Sequence, residues 1–100
     1  MAKWADYLIS AVRYNNEHSH IIMVKQHIDK GDKFIAADEV ARLTVATNLK
    51  NRNTYMTIYK KNGNWKMGEE VRIIQVGSSE FITTDPNETT RDNLGKLPEF

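Results

Sequence analysis

The apolar-rich segment Tyr7–Tyr14 sorts into two rows, Leu8, Ser10, Val12 and Tyr14 in one and Tyr7, Ile9, Ala11 and Arg13 in the other. That period of two predicts a strand. A polar segment, residues 15–19, leads to residues 20–28, which are rich in β-branched side chains and predict a second strand pairing with the first. Residues 29–33 break the pattern. Over residues 37–47 the period lengthens, placing Val40, Leu43 and Thr47 on one face of a helix. Asp38 and Glu39 then fall in its first turn, at the positive end of its dipole. The asparagine-rich residues 48–53 end it.

The sharpest local signal is Asn62-Gly63 between two strand-like segments, residues 54–61 and 64–67. Both turn residues tolerate positive φ, so a two-residue type I′ hairpin is expected, with Lys60 opposite Trp65 and Ile58 opposite Met67. Met56, Ile58, Trp65 and Met67 then share one side, and Tyr55, Thr57, Tyr59, Lys61 and Lys66 the other. Gly68-Glu69-Glu70 reads as a turn, residues 71–76 as a strand, Gly77-Ser78-Ser79 as a break, and residues 81–84 as a short returning strand. Pro86 has no N–H to give a ladder, so the sheet is expected to end near Asp85. The expected order is β-β-α-β-β-β-β. The fold class is α+β, a largely antiparallel sheet with one helix over its apolar face. Residues 1–92 form a single domain and residues 93–100 an extended tail.

Composition narrows the function classes. One hundred residues suit one domain. The absence of cysteine excludes disulfides, thiolate metal sites and cysteine nucleophiles. The longest apolar run, Ile21-Ile22-Met23-Val24, is far short of the ~20 residues of a membrane helix. The opening residues turn polar too early for a signal peptide. A cytoplasmic protein without membrane contact is therefore expected. The net charge is only +1, but residues 40–68 carry Arg42, Lys50, Arg52, Lys60, Lys61 and Lys66 with no carboxylate.

That run defines a candidate anion or nucleic-acid face: Lys50, Arg52, Tyr55, Tyr59, Lys61 and Lys66. Tyrosine rings stack on bases and lysines meet phosphates without reading sequence. A second candidate is the tail, where Leu94, Leu97 and Phe100 either staple the chain's own core or present a recognition element to a protein partner or a second copy. Other chemistry finds little support. His18, His20 and His27 with Glu17 offer no fixed third and fourth zinc ligand. Ser10, Ser19, Ser78 and Ser79 lack a nucleophile elbow. Gly31 stands without the further glycines and lysine of a phosphate loop. The expectation is a small non-enzymatic protein-interaction module without cofactor, metal or catalytic residues. Binding of nucleic acid or an anionic nucleotide through residues 50–66 is the alternative.

Three segments, Tyr7 to Tyr14, Phe81-Ile82-Thr83-Thr84-Asp85 and Asp92-Asn93-Leu94-Gly95-Lys96-Leu97-Pro98-Glu99-Phe100, resemble the bacterial and phage family of unknown function numbered 3892. The closing Asn-Leu-Gly-x-Leu-Pro-x-Phe phrase carries most of the likeness. The family brings no reaction, cofactor or catalytic residues to transfer. The resemblance points to a phage or prophage accessory role on a host protein. Residues 48–66 depart from the family pattern in being more basic and richer in asparagine.

Overall fold

A computed structural model describes residues 4–17, 20–31, 33–35, 38–84, 92, 94 and 97–100. Six strands and one helix follow the order β1 (Tyr7–Tyr14), β2 (Ile21–Ile28), β3 (Asp38–Ala41), α1 (Arg42–Lys50), β4 (Tyr55–Lys61), β5 (Asn64–Val76) and β6 (Ser79–Thr83). The strands form one sheet in the order β3-β2-β1-β4-β5-β6. The α+β class stands, but the sheet is mixed rather than largely antiparallel, because β1 and β4 lie side by side in parallel. The β3–α1 segment carries the chain across from β2 to the far side of β1, and that crossover makes the new neighbour parallel. No helix among the described residues is long and apolar enough to cross a membrane.

The first expected helical turn is strand instead. Asp38, Glu39, Val40 and Ala41 pair with Gln26, Lys25, Val24 and Met23. The free edge of β2 offers four residues a ladder, and that tertiary pairing overrides local helix preference. The helix therefore starts at Arg42 and turns Val45 and Ala46 inward, with Leu49 packed beside them, while Leu43 is 73% exposed. Ala37, where the helix was expected to begin, lies outside the described residues, as do Asp85 and Pro86 at the expected end of the sheet.

Gly68-Glu69-Glu70 does not turn the chain. It is a bulge inside the 13-residue β5, where Gly68 and Glu69 together oppose Thr57. The buried Thr57 hydroxyl accepts the Glu69 N–H at 2.9 Å, which pins the extra residue. A Cβ on Gly68 would lie 2.7 Å from the Thr57 carbonyl oxygen, an atom with no freedom to withdraw. Gly68→Ala is expected to lower the unfolding free energy by ~1–3 kcal/mol, the usual cost of overpacking. A urea midpoint equal to wild type would show that the bulge tolerates a side chain.

The Asn62-Gly63 hairpin follows its expected register, with Lys60 opposite Trp65, Ile58 opposite Met67, and positive φ at both turn residues. Both sheet faces are covered at the centre. The helix face buries Ile9, Val12, Ile21, Val24, Val45, Tyr55, Val71, Ile82 and Leu94. On the opposite face Ala5, Leu8 and Ile58 are packed by Trp4, Phe34, Met56 and Trp65.

Asp92 ties the helix face together. Its fully buried carboxylate accepts the backbone N–H of Ile21 at 2.8 Å and of Ile82 at 2.9 Å, and two hydrogen bonds from Arg42 at 2.6 and 3.0 Å. One side chain thus joins the starts of β2 and α1 to β6, which stands four places from β2 in the sheet. The hydrogen-bonded Asp92 carboxylate holds the Arg42 guanidinium above its ordinary pKa.

Candidate functional site

The functional geometry begins at a break in strand alternation. Ile9 pairs with Gln26 and Ala11 with Lys25, so Ser10 is an extra residue in β1. Past this bulge the faces exchange, and Ile9 and Val12 both join the helix-side core. The simple two-row reading of β1 is corrected accordingly. The sequence carried the signal in Leu8-Ile9-x-Ala11-Val12, where adjacent apolar pairs violate a period of two.

The bulge brings Ser10 to His27. Ser10 Oγ lies 2.8 Å from His27 Nε2, and His27 Nδ1 lies 3.0 Å from the carbonyl oxygen of Ile35. A carbonyl oxygen only accepts, so in the neutral ring Nδ1 carries the proton and Nε2 accepts the Ser10 hydroxyl. His27 is 8% exposed, and its ring meets Trp65 edge-on at 5.5 Å. Neither Ser10 nor His27 was singled out as a working pair by the sequence, because their meeting depends on the hairpin register and the bulge together.

This pair lies beside a seam in the sheet. The parallel pairing of β1 and β4 runs only from Tyr7–Tyr55 to Ile9–Thr57. Beyond it the strands part, and the tail enters beside β1: Val12 N–H donates to Pro98 O at 2.9 Å, and Phe100 N–H to Val12 O at 3.1 Å. A crevice of about 470 Å³ remains between Ser10 and Ala11 on β1, Lys25 on β2, Tyr59 and Lys60 on β4, Trp65 on β5, and Pro98.

Two lysines and no carboxylate occur among the described residues lining it. Lys60 Nζ lies 5.0 Å from the Trp65 ring centre, and Lys25 Nζ 5.1 Å from that of Phe100. A cation held by a ring keeps its full charge. Glu39 stands opposite Lys25 on β3.

The expected basic face does not assemble as one patch. Tyr59, Lys61 and Lys66 share the exposed end of the hairpin, with Tyr59 directly opposite Lys66. Tyr55 is corrected out of that face: it is fully buried, stacks on Tyr7 at 5.0 Å, donates its hydroxyl to Gln26 and accepts from Asn48 at 2.9 Å. Burial pushes its phenol up to about 12. Lys50 pairs with Glu80 at 2.7 Å, and Arg52 lies before β4 at positive φ. Strand β4 separates the remaining five residues into two groups, Lys50 and Arg52 before its start and Tyr59, Lys61 and Lys66 at its far end. A second cavity of about 370 Å³ near the first group is lined by Leu49, Asn53, Thr54, Glu70, Val71, Arg72 and Ile73, with Arg72 and Glu70 paired at 3.5 Å.

The tail residues also find their places within the chain. Leu94 is 2% exposed in the core, Leu97 packs against the same cluster, and Phe100 lies under Arg13, whose Nε donates to the Phe100 carbonyl at 2.9 Å. Leu94 is therefore unavailable as a recognition element. Among the described residues no three His, Asp or Glu side chains gather as metal ligands; His18 lies outside them.

A family model described as protein of unknown function (DUF3892) matches residues 8–98. No curated protein and no solved structure matches the chain.

Proposed function

We propose, for a chain that belongs to the DUF3892 family of unknown function, that its crevice binds a small organic anion carrying a flat ring. The observation that carries this reading is the opened β1–β4 seam, where Lys60, Lys25 and the exposed Tyr59 line one space and no carboxylate lines it among the described residues. A ring stacks on Tyr59 while its anionic group meets Lys60, joining an apolar contact to one charged anchor. A nucleoside monophosphate fits this description, and so does an aromatic carboxylate. The tail supports the reading by using its own apolar side chains inside the chain, with Pro98 forming one wall.

Adenosine monophosphate and para-nitrobenzoate, titrated at low salt and followed by amide chemical shifts, are expected to perturb Ser10, Ala11 and Lys60 first. Lys60→Ala is expected to weaken binding by about 10–100-fold, since a hydrogen bond to a charged group contributes ~1.5–3 kcal/mol. Raising the salt weakens binding as the charges are screened. Absence of any shift at millimolar ligand, or equal binding by Lys60→Ala, would remove the crevice as an anion site. A single-stranded oligonucleotide binding through Lys61 and Lys66 instead would place the activity at the hairpin tip.

A further inference from the structure

We propose that Ser10 and His27 act as nucleophile and general base, and that the crevice hydrolyses a carboxylic ester bearing a negative charge. The choice of an anionic substrate rests on the binding reading above; the chemistry rests on the pair itself.

Four observations converge on it. The Ser10 Oγ–His27 Nε2 distance of 2.8 Å is that of a serine and its base. Ile35 O, 3.0 Å from Nδ1, occupies the orienting position that a carboxylate takes in a catalytic triad. Being an acceptor only, it fixes the productive tautomer, which is a main duty of that third group. The extra residue in β1 aims Ser10 away from regular alternation, and bulges recur beside active sites for this kind of redirection. Ser10 also lines the 470 Å³ crevice while the imidazole behind it is buried.

The reaction balances without a cofactor. Ser10 Oγ adds to the ester carbonyl carbon as its proton passes to His27 Nε2. The ammonium groups of Lys25 and Lys60, lining the same space, supply positive charge for the developing oxyanion. The intermediate collapses, the bond to the alcohol oxygen breaks, and the Nε2 proton leaves with the alcohol. Water then attacks the acyl-serine, giving its proton to Nε2. The acid departs and the proton returns to Ser10.

The test uses the intact chain with para-nitrophenyl hydrogen succinate as anionic ester and a fluorophosphonate as serine-directed probe. The expected result is ester hydrolysis above the buffer rate, with the phosphonyl group located on Ser10 by peptide mass spectrometry. Ser10→Ala and His27→Gln should each lower the rate at least ~100-fold, the lower end of what a general base contributes. Ser10→Ala leaves buried His27 Nε2 without its partner and should lower the unfolding midpoint by no more than that one lost hydrogen bond, while the folded variant still binds para-nitrobenzoate, which separates chemistry from folding and from binding. A wild-type chain that binds para-nitrobenzoate yet takes no label and hydrolyses no ester overturns the catalytic proposal and leaves the anion site standing. Undiminished hydrolysis by Ser10→Ala also overturns it. Hydrolysis of para-nitrophenyl acetate through Ser10 at the same rate as the succinate overturns the assignment of a charged substrate.

Discussion

Asp92→Ala is expected to lower the unfolding free energy by ~2–5 kcal/mol, chiefly the cost of leaving two buried backbone donors without an acceptor at ~1–3 kcal/mol each. The variant orphans two buried backbone donors, Ile21 N–H and Ile82 N–H, and strips Arg42 of both its carboxylate bonds. Arg42 keeps one bond, from Nη2 to the Glu80 carbonyl at 2.6 Å. A domain of this size has a total stability of roughly 5–15 kcal/mol, so a loss of this order brings it near the edge of folding. Urea unfolding at neutral pH measures it. Adding Arg42→Met should recover part of the loss, because it removes the stranded guanidinium while keeping an apolar stem. A single-variant loss below ~1 kcal/mol, within the range of an exposed ion pair, would mean that the carboxylate is solvated in solution.

Leu94→Ala carries the second large effect. Its side chain is 2% exposed within the main core, and deleting a buried leucine costs ~2–5 kcal/mol according to how far the cavity collapses. Phe100→Ala should cost less, because Phe100 is only half-buried and its ring rests against the cations of Arg13 and Lys25. Sedimentation velocity run beside the unfolding experiment completes the comparison. A lowered midpoint with unchanged assembly is expected. Loss of an oligomer in a Leu94→Ala variant of wild-type stability would return the tail to a recognition role.

These effects also mark what the sequence made legible. The Asn62-Gly63 turn and its register follow from two adjacent residues, and the fold reproduces them because type I′ geometry is chosen locally. Strand β1 was readable as a strand, and the apolar doublets on either side of Ser10 marked its bulge, but a two-row assignment passes over them. Asp38–Ala41 read as helix because its charges suit a first helical turn; only the open edge of β2, far away in sequence, makes it strand. Tyr55 illustrates the same limit. On one strand it shares a row with Tyr59 and Lys61, yet its beginning of β4 is covered by the helix-side core and the far end is bare. The basic run was visible, but its division was not. The crevice was invisible altogether, because it arises where a parallel pair separates and a distant segment enters.

That entering segment has a consequence for the order in which the molecule is built. Arg13 and Phe100 are 87 residues apart, and β1 can receive Pro98 and Phe100 only after those residues have been synthesised. The hairpins β1–β2, β4–β5 and β5–β6 close short loops and can form early, whereas this seam must wait for the longest loop in the chain. Segments added last and held by few contacts are also the first to open in the native state. Amide exchange at Val12 and Phe100 should therefore outpace exchange at Ile9 and Val24, with the rest of the sheet still intact. Each such opening would uncover the flank of β1 beside Ser10, so traffic into the crevice would be timed by the fraying of residues 98–100 rather than by movement of the strands that form its walls.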